Sequence, residues 1–112
     1  MTDKIVVLVT CASAKEARRI ARALVEVRLA ACGNVLEASV RSIYRWKGKV
    51  ESAKECLLII KTTRRRFAAL EKMVKRLHSY DVPEIIAVPI AAGAQAYLNW
   101  IDESLRSRQA IP

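Results

Sequence analysis

The sequence predicts one α+β domain with the element order strand, helix, strand, strand, helix, strand, followed by a third helix. Three observations predict it: short runs of β-branched residues, helical spacing of apolar residues between them, and a long alternating stretch that turns once at a glycine. The 112 residues suffice for one hydrophobic core, and no linker, repeat or low-complexity segment divides them. We therefore expect residues 1–112 to form a single domain.

The first strand is predicted over Ile5–Thr10, a continuous β-branched run typical of a strand that is buried on both faces or paired centrally. Ser13 and Glu16 have the spacing of a capping box, in which both side chains bind amides at a helix start. The helix should run to about Cys32, with Gly33 in the left-handed conformation that ends many helices. Its buried side is predicted to contain Ala17, Ile20, Ala21, Leu24 and Val27.

A long hairpin is predicted from about Val35 to Thr62, with its turn at Lys47–Gly48. Strands of about a dozen residues reach roughly 40 Å, whereas helices of about 16 residues span roughly 24 Å. The tip, with Tyr44 and Trp46, should therefore project beyond the helices and pair with another chain, which predicts an oligomer. The alternative is a solvated hairpin whose Arg and Lys side chains keep neighbours away.

The remaining elements complete a ferredoxin-like arrangement, with both main helices on one face of an antiparallel four-stranded sheet. Thr63 is predicted to cap the second helix, and Glu84–Ile90 to form the last strand, with Pro89 at a sheet edge or near a strand end. The second helix should bury Phe67, Leu70, Val74 and Leu77. The C-terminal helix, Ala96–Leu105, should bury Tyr97, Trp100, Ile101 and Leu105.

The net charge of +9 is spread along the chain, with Arg64–Arg66 as its single run. Dispersed charge favours solvated helix surface over a nucleic-acid interface, although a basic polyanion-binding module stays an alternative. No apolar run reaches the roughly 18 residues that a membrane span needs, and the N-terminus has no signal-peptide pattern. Three unclustered cysteines argue against a disulfide framework, so we expect a cytoplasmic protein with free thiols.

Few residues could perform catalysis, because there is one histidine and no known nucleophile, P-loop or metalloprotease pattern. We therefore predict no enzyme. His78 either binds the last carbonyls of its helix or is a ligand. Cys32 is either a small buried hydrophobe or a ligand for a thiophilic metal, while Cys11 follows a strand end where ligands often approach. Cys56 is predicted to lie in the core. Tyr44 and Trp46 are predicted to pack against a partner subunit; stacking on nucleobases is the alternative, although the sequence pattern of RNA-recognition modules is absent.

Several sequence blocks resemble the CutA divalent-ion tolerance family, in the right order and along nearly the whole chain. They are Leu29–Asn34, Ser42–Lys49, Leu58–Thr62, His78–Ile86 and Tyr97–Trp100. The resemblance implies a ferredoxin-like subunit in a compact homotrimer held by the hairpin strands, similar to the PII signalling proteins. It also implies clefts between subunits. The residues it places there are Cys32, Trp46, Lys61, His78, Tyr80, Glu84 and Trp100.

The resemblance further implies metal binding, chiefly of copper, by a Cys at the end of the first strand and by histidines. Val9 and Leu77 occupy two of those positions here, and Asp81 replaces the usual Glu, whereas His78 is retained. The candidate metal ligands are therefore His78, Cys32 and Cys11, for copper(II) or another divalent metal.

Three hypotheses follow. The first is a homotrimer that binds divalent metal and acts in metal tolerance, signalling or scaffolding. The second is a PII-like sensor in which Lys61 faces a small anion within an inter-subunit cleft. The third is a polyanion-binding module that the net charge of +9 would drive.

Overall fold

The structure, a computed structural model, describes residues 2–106. Its strands are β1 (Lys4–Cys11), β2 (Cys32–Trp46), β3 (Lys49–Thr63) and β4 (Ile85–Pro89). Its α-helices are α1 (Ala14–Glu26), α2 (Phe67–Leu77) and α3 (Gln95–Leu105), with a 3-10 turn at Arg64–Arg66 before α2. The predicted element order and the ferredoxin-like fold are confirmed.

The four strands form one antiparallel sheet in the order β2-β3-β1-β4. β1 is central, and β2 and β4 are the edge strands, so Pro89 lies at an edge as predicted. Side chains on one face of β1 and β3 pack against α1 and α2 in a single core. Fully buried members of this core are Val7, Val9, Ile20, Leu24, Leu58, Ile60, Leu70 and Val74.

The hairpin of β2 and β3 has a two-residue turn, because Trp46 pairs with Lys49. Lys47 and Gly48 have φ of 51° and 82°, the positive values that a type I′ turn requires at both positions. Between Leu36 and Val40 the β2–β3 register shifts, so β2 carries extra residues there. The chain is 56 Å long and at most 29 Å across, since the hairpin extends past the helices.

Helix α1 ends six residues earlier than the sequence predicted. Arg28 takes the left-handed conformation, with φ of 61°, and Leu29 and Ala30 both donate to the carbonyl of Leu24. Gly33 instead lies in β2, where a Cβ atom would approach the Cβ of Ala21 to 2.9 Å. The glycine is therefore needed for close packing of α1 on the sheet. Val27, predicted to be buried, lies past the helix and is exposed.

Two further predictions about the helices are wrong. Thr63 does not cap a helix: its hydroxyl is buried without a partner among the described residues, and a 3-10 turn follows. Tyr97 and Trp100 of α3 are not buried, since each is 42% exposed in the single chain. The buried side of α3 is Leu98, Ile101 and Leu105, which pack with Ala31 and Ile90 where β1 begins.

Candidate functional site

The segment after α2 crosses the end of β1 and is fixed there by His78. The ring Nε2 lies 2.8 Å from the carbonyl oxygen of Thr10, and the Tyr80 amide donates to Nδ1 at 3.1 Å. A carbonyl only accepts, so Nε2 carries the proton and Nδ1 is the acceptor. The ring also contacts that of Tyr80, with centroids 4.7 Å apart. Both nitrogens of this buried imidazole are therefore engaged.

Glu16 holds the same segment from the first turn of α1. Its carboxylate accepts from the amides of Ala12, at 3.1 Å, and Ser79, at 2.8 Å. Burial by itself raises the pKa of Glu16, but the hydrogen bonds from Ser79 and Ala12 outweigh it, so the pKa lies below its usual value. The Ser13 hydroxyl accepts from the Glu16 amide, as predicted for a helix cap. The carboxylate, however, binds Ala12 and Ser79 and not Ser13.

Cys11, Glu16 and His78 form a buried triad whose potential ligand atoms all lie within 4.8 Å of one another. The triad fits a metal ion poorly, because both His78 nitrogens and both Glu16 oxygens already have hydrogen-bond partners. Burial raises the pKa of the Cys11 thiol to about 12, which disfavours the thiolate that a metal needs. The arrangement is suited to holding the chain segment in place.

A cavity of about 620 Å³ lies beside this segment, on the sheet face away from α1 and α2. We call it the acidic cleft; its lining residues with polar or aromatic side chains are Thr10, Ser42, Tyr44, Trp46, Glu55, Tyr80, Asp81 and Glu84. Three carboxylates face it, and no lysine or arginine of the described chain lines it. The cleft therefore offers oxygen ligands and negative charge.

Tyr80 and Glu55 form the floor of the acidic cleft. The Tyr80 hydroxyl donates to Glu55 Oε2 at 2.8 Å, and Glu55 is only 9% exposed. Burial, together with the Glu55 carboxylate, raises the pKa of Tyr80 above its usual range, so the phenol keeps its proton. Within residues 2–106, the carboxylates of Asp81 and Glu84 have no hydrogen bond or ion pair, so they remain available to a ligand.

The predicted site residues fall into two groups within the single chain. Trp46, Tyr80 and Glu84 line the acidic cleft, and Cys11 and His78 lie together beside it. Cys32, Lys61 and Trp100 lie elsewhere, at the end of the sheet where β1 begins. Cys32 pairs with Lys61, which pairs with Val6 of β1. Val6 is four residues from Thr10, or about 13 Å along the strand. Cys32 is therefore not part of the buried triad.

At that second end, Lys61 donates to the side chain of Asn34, and the Cys32 thiol lies 3.6 Å from the same oxygen. Burial and the neighbouring Cys32 raise the pKa of Tyr97. The rings of Tyr97 and Trp100 stack with centroids 5.5 Å apart. This group is cationic and aromatic, and it contains none of the carboxylates of the acidic cleft.

The sequence interpretation missed two carboxylates of this region, Glu16 and Glu55. Glu16 matched a capping box, so nothing suggested a second partner 63 residues away. The sequence did contain a signal that Glu55 belongs to the site. Glu55 directly precedes the largely buried run Cys56–Ile60, and the alternation of side chains along the strands places it on the same sheet face as Tyr44. A carboxylate on the inner part of a strand usually has a specific partner.

Comparisons with known proteins agree with one another. The family model described as CutA1 divalent ion tolerance protein matches residues 5–104. The divalent-cation tolerance protein CutA of Thermus thermophilus is 52% identical over 99 residues, covering 88% of this chain and 95% of that protein. The mouse protein CutA is 46% identical, and the match covers 55% of its length.

Solved structures show the same fold. CutA from Xylella fastidiosa has a TM-score of 0.90 at 38% identity, covering 94% of this chain and 100% of that one. A structure described as the periplasmic divalent cation tolerance protein CutA from Archaeoglobus fulgidus has a TM-score of 0.88 at 41% identity, covering 92% and 99%. Among residues 2–106, no helix is long and apolar enough to cross a membrane. A plant relative is described as chloroplastic, so the relatives' names span several compartments and cytoplasmic localisation stays a prediction.

Proposed function

This chain belongs to the CutA1 divalent ion tolerance family, and from that premise we propose that it binds a divalent cation in the acidic cleft, as a binding protein and not an enzyme. The proposal rests on one observation: in a chain of net charge +9, the cleft is lined by three carboxylates and no described lysine or arginine. A cation entering the cleft is attracted by all three carboxylates. The attraction is stronger there than in open water, because the cleft walls lower the effective dielectric constant.

The ligand atoms of the cleft determine which cations it suits. Carboxylates, the Tyr80 phenol and the hydroxyls of Thr10 and Ser42 are oxygen ligands. Such ligands suit divalent ions generally, and among first-row divalent ions the usual affinity order favours copper(II). The buried triad of Cys11, Glu16 and His78 is the weaker candidate, because a metal there would have to displace hydrogen bonds already made.

The absence of catalysis is proposed for a related reason. A general base must have a free lone pair within reach of a substrate. His78, the one histidine of the chain, uses Nδ1 to accept from Tyr80 and Nε2 to donate to Thr10. This supports binding without histidine-assisted catalysis, with the free carboxylates of Asp81 and Glu84 acting as cation ligands.

Titration calorimetry of metal-free protein with copper(II), zinc(II) and manganese(II) tests the cation proposal. The double variant D81N/E84Q should lower the affinity for the best-bound ion about tenfold or more, the scale seen when groups of a metal site are altered. Glu103→Gln, which removes an exposed carboxylate of α3, is the matched control and should leave binding unchanged.

Two outcomes would overturn the cleft as the site. One is unchanged affinity in D81N/E84Q. The other is loss of binding in Cys11→Ala, with the fold intact by circular dichroism, which would move the metal to the buried triad.

The proposal includes a homotrimer assembled through the hairpin of β2 and β3. Ile43 and Val50 are 71% and 65% exposed near its tip, and both β2 and β4 are open edges in the single subunit. Native mass spectrometry should show a trimer that Ile43→Lys converts to smaller species. Val25→Lys, at an exposed apolar position of α1, should leave the trimer intact. A monomeric wild-type protein would contradict the assembly.

A small anion is the second candidate ligand, and Lys61 favours it. Its ammonium group binds Asn34 at the end of the sheet opposite the acidic cleft, near the partly exposed Tyr97 and Trp100. A bound anion would stabilise the folded protein in proportion to its occupancy. A thermal-shift screen of carboxylates and nucleotides should then find stabilisation that Lys61→Met abolishes; no stabilisation by any compound would remove this candidate.

A further inference from the structure

Two of the free cysteines face each other in the sheet. Cys11 of β1 and Cys56 of β3 are direct partners in the antiparallel ladder, and both belong to the core on the helix-covered face. Their exposed fractions are 0% and 4%. We propose that Cys11 and Cys56 form a reversible intrachain disulfide, a redox modification site between the two central strands.

The ladder sets the distance between the two cysteines. Directly opposed residues of an antiparallel pair have Cα atoms about 4.5–5.5 Å apart, within the roughly 4.4–6.8 Å that a disulfide spans. Their Cβ atoms lie about 4.5–5.5 Å apart, slightly wider than the roughly 3.5–4.5 Å of a disulfide. The strands must therefore draw together when the bond forms. A bond formed under such strain is easily reduced, as regulatory disulfides are.

The chemistry balances with a small-molecule disulfide as the oxidant. One cysteine thiolate attacks the oxidant, forms a mixed disulfide and releases one small thiol. The second cysteine then attacks the protein sulfur of the mixed disulfide and releases the other small thiol. The protein loses two protons and two electrons, which together are two hydrogen atoms, and the oxidant is reduced to two thiols. Cys56 is the cysteine that attacks the oxidant first, because it is the less buried of the pair.

Burial makes this reaction slow in the closed structure. It raises the pKa of both thiols, so few thiolates are present near neutral pH. The Cys56 thiol also donates to the carbonyl of Leu36 at 2.8 Å, at the register shift of β2. Oxidation must break that hydrogen bond. The site therefore responds to sustained oxidising conditions or to local opening of the sheet, and not to brief exposure.

The pair is placed where oxidation would affect the acidic cleft. Cys11 follows Thr10, which accepts from His78 and lines the cleft. Cys56 follows Glu55, which accepts from Tyr80. Drawing β1 and β3 together at this level would shift both contacts. The disulfide itself does not depend on the proposed function, whereas its effect on cation binding does.

The test is equilibration of the native Cys32→Ala protein in glutathione mixtures from reducing to oxidising, with a chelator present to exclude metal-driven oxidation. Cys32→Ala leaves the facing pair as the only cysteines of the chain. Intact mass should show the loss of two hydrogen atoms, and peptide mapping without reductant should join the peptides of Cys11 and Cys56. Dithiothreitol should restore the original mass.

The double variants C32A/C11S and C32A/C56S are controls that keep one cysteine each. They should form only glutathione adducts or remain reduced. The proposal is overturned if, in the most oxidising mixture, Cys32→Ala stays fully reduced or carries only glutathione adducts with no disulfide between Cys11 and Cys56. Because disulfide formation is measured without metal, its result does not depend on whether the protein binds a cation.

Discussion

The two ends of the sheet handle charge in opposite ways. Where β1 finishes, buried carboxylates accept from backbone amides or a tyrosine hydroxyl, as Glu16 accepts from Ala12 and Ser79. Where β1 begins, cations donate to backbone carbonyls: Arg28 to Ser104, and Arg66 to Leu105 and to Arg28 itself. We call this second region the basic end. The last carbonyls of a helix have no hydrogen-bond donors within the helix. At the end of α3, these arginines provide the donors.

The difference shows how to interpret a net charge of +9. Arg28 and Arg66 at the basic end are used to hold α3 against the rest of the subunit, so they are poor evidence for a polyanion partner. At the acidic cleft, Asp81 and Glu84 hold nothing together within the described residues. A small number of carboxylates without partners is therefore more informative about a ligand than a large number of engaged cations.

The largest expected effect on stability comes from removing the carboxylate of Glu16. Glu16→Ala removes the partner of the amides of Ala12 and Ser79, at about 1–3 kcal/mol for each group if it were fully buried. Ala12 and Ser79 are themselves exposed, so water replaces part of the lost bonding, and urea unfolding should show a loss of about 2–4 kcal/mol, in the lower part of the roughly 2–6 kcal/mol sum. Glu26→Ala, an exposed glutamate at the end of the same helix, should change stability by less than about 0.5 kcal/mol. Equal effects in the two variants would contradict the role of Glu16.

Glu16 also predicts a pH dependence. The folded protein holds its pKa below the usual value of 4.5, so the ionised carboxylate stabilises the fold. That contribution is fully present above the pKa of the unfolded chain and is lost as pH falls through the lower, folded pKa. Stability of the wild-type protein should thus fall more steeply below pH 4.5 than that of Glu16→Gln. Parallel pH profiles for the two proteins would show that Glu16 does not contribute in this way.

An intermediate effect is expected at the basic end from Arg66→Ala. Arg66 donates to the carbonyls of Arg28, at 3.1 Å, and Leu105, at 2.7 Å, from a partly buried position. Charged donors make the stronger hydrogen bonds, but Arg66 is only partly buried and water can replace part of both, so losing them should cost about 1–2 kcal/mol. Arg65→Ala removes the exposed neighbour and is the matched control. Hydrogen exchange should show faster exchange in α3 for Arg66→Ala alone.

The smallest effect is expected at the ion pairs of Lys4. Its ammonium group lies 2.8 Å from Asp3 and 2.9 Å from Asp102, whose side chains are 63% and 47% exposed. Lys4 itself is buried, but Asp3 remains as its partner and Asp102 is half exposed, so Asp102→Asn should cost less than about 1 kcal/mol. The cost should shrink further in 1 M salt, where the screening length is about 3 Å. A cost as large as that of Glu16→Ala would remove the contrast between the two ends.

Local features were predictable from the sequence. The turn at Lys47–Gly48 and the helix cap at Ser13 each depend on a few neighbouring residues, and both are confirmed. The end of α1 was not predictable in this way, because Arg28 takes the left-handed conformation that the sequence favours at Gly33. The contacts of Arg28 with Ser104 and Arg66 support that conformation, and they come from distant parts of the chain.

The candidate site was predictable only in part, for the same reason. His78, Tyr80 and Glu84 share one segment, so their proximity to each other followed from the sequence. Their contacts with Thr10 and Glu55 depend on how that segment crosses the sheet. Lys61 and Trp100 were expected in one cleft with them on the basis of a trimer, and in a single subunit they lie at the other end.

The central position of β1 has a consequence for the order in which the chain folds. Its two neighbours in the sheet are β3 and β4, which follow it by many residues, whereas β2 and β3 are joined by a two-residue turn. At a synthesis rate of about 5–20 residues per second, several seconds separate the synthesis of the apolar strand Ile5–Val9 from that of β3. Over that interval we expect it to be the segment most open to a chaperone, and its late pairing to limit the folding rate.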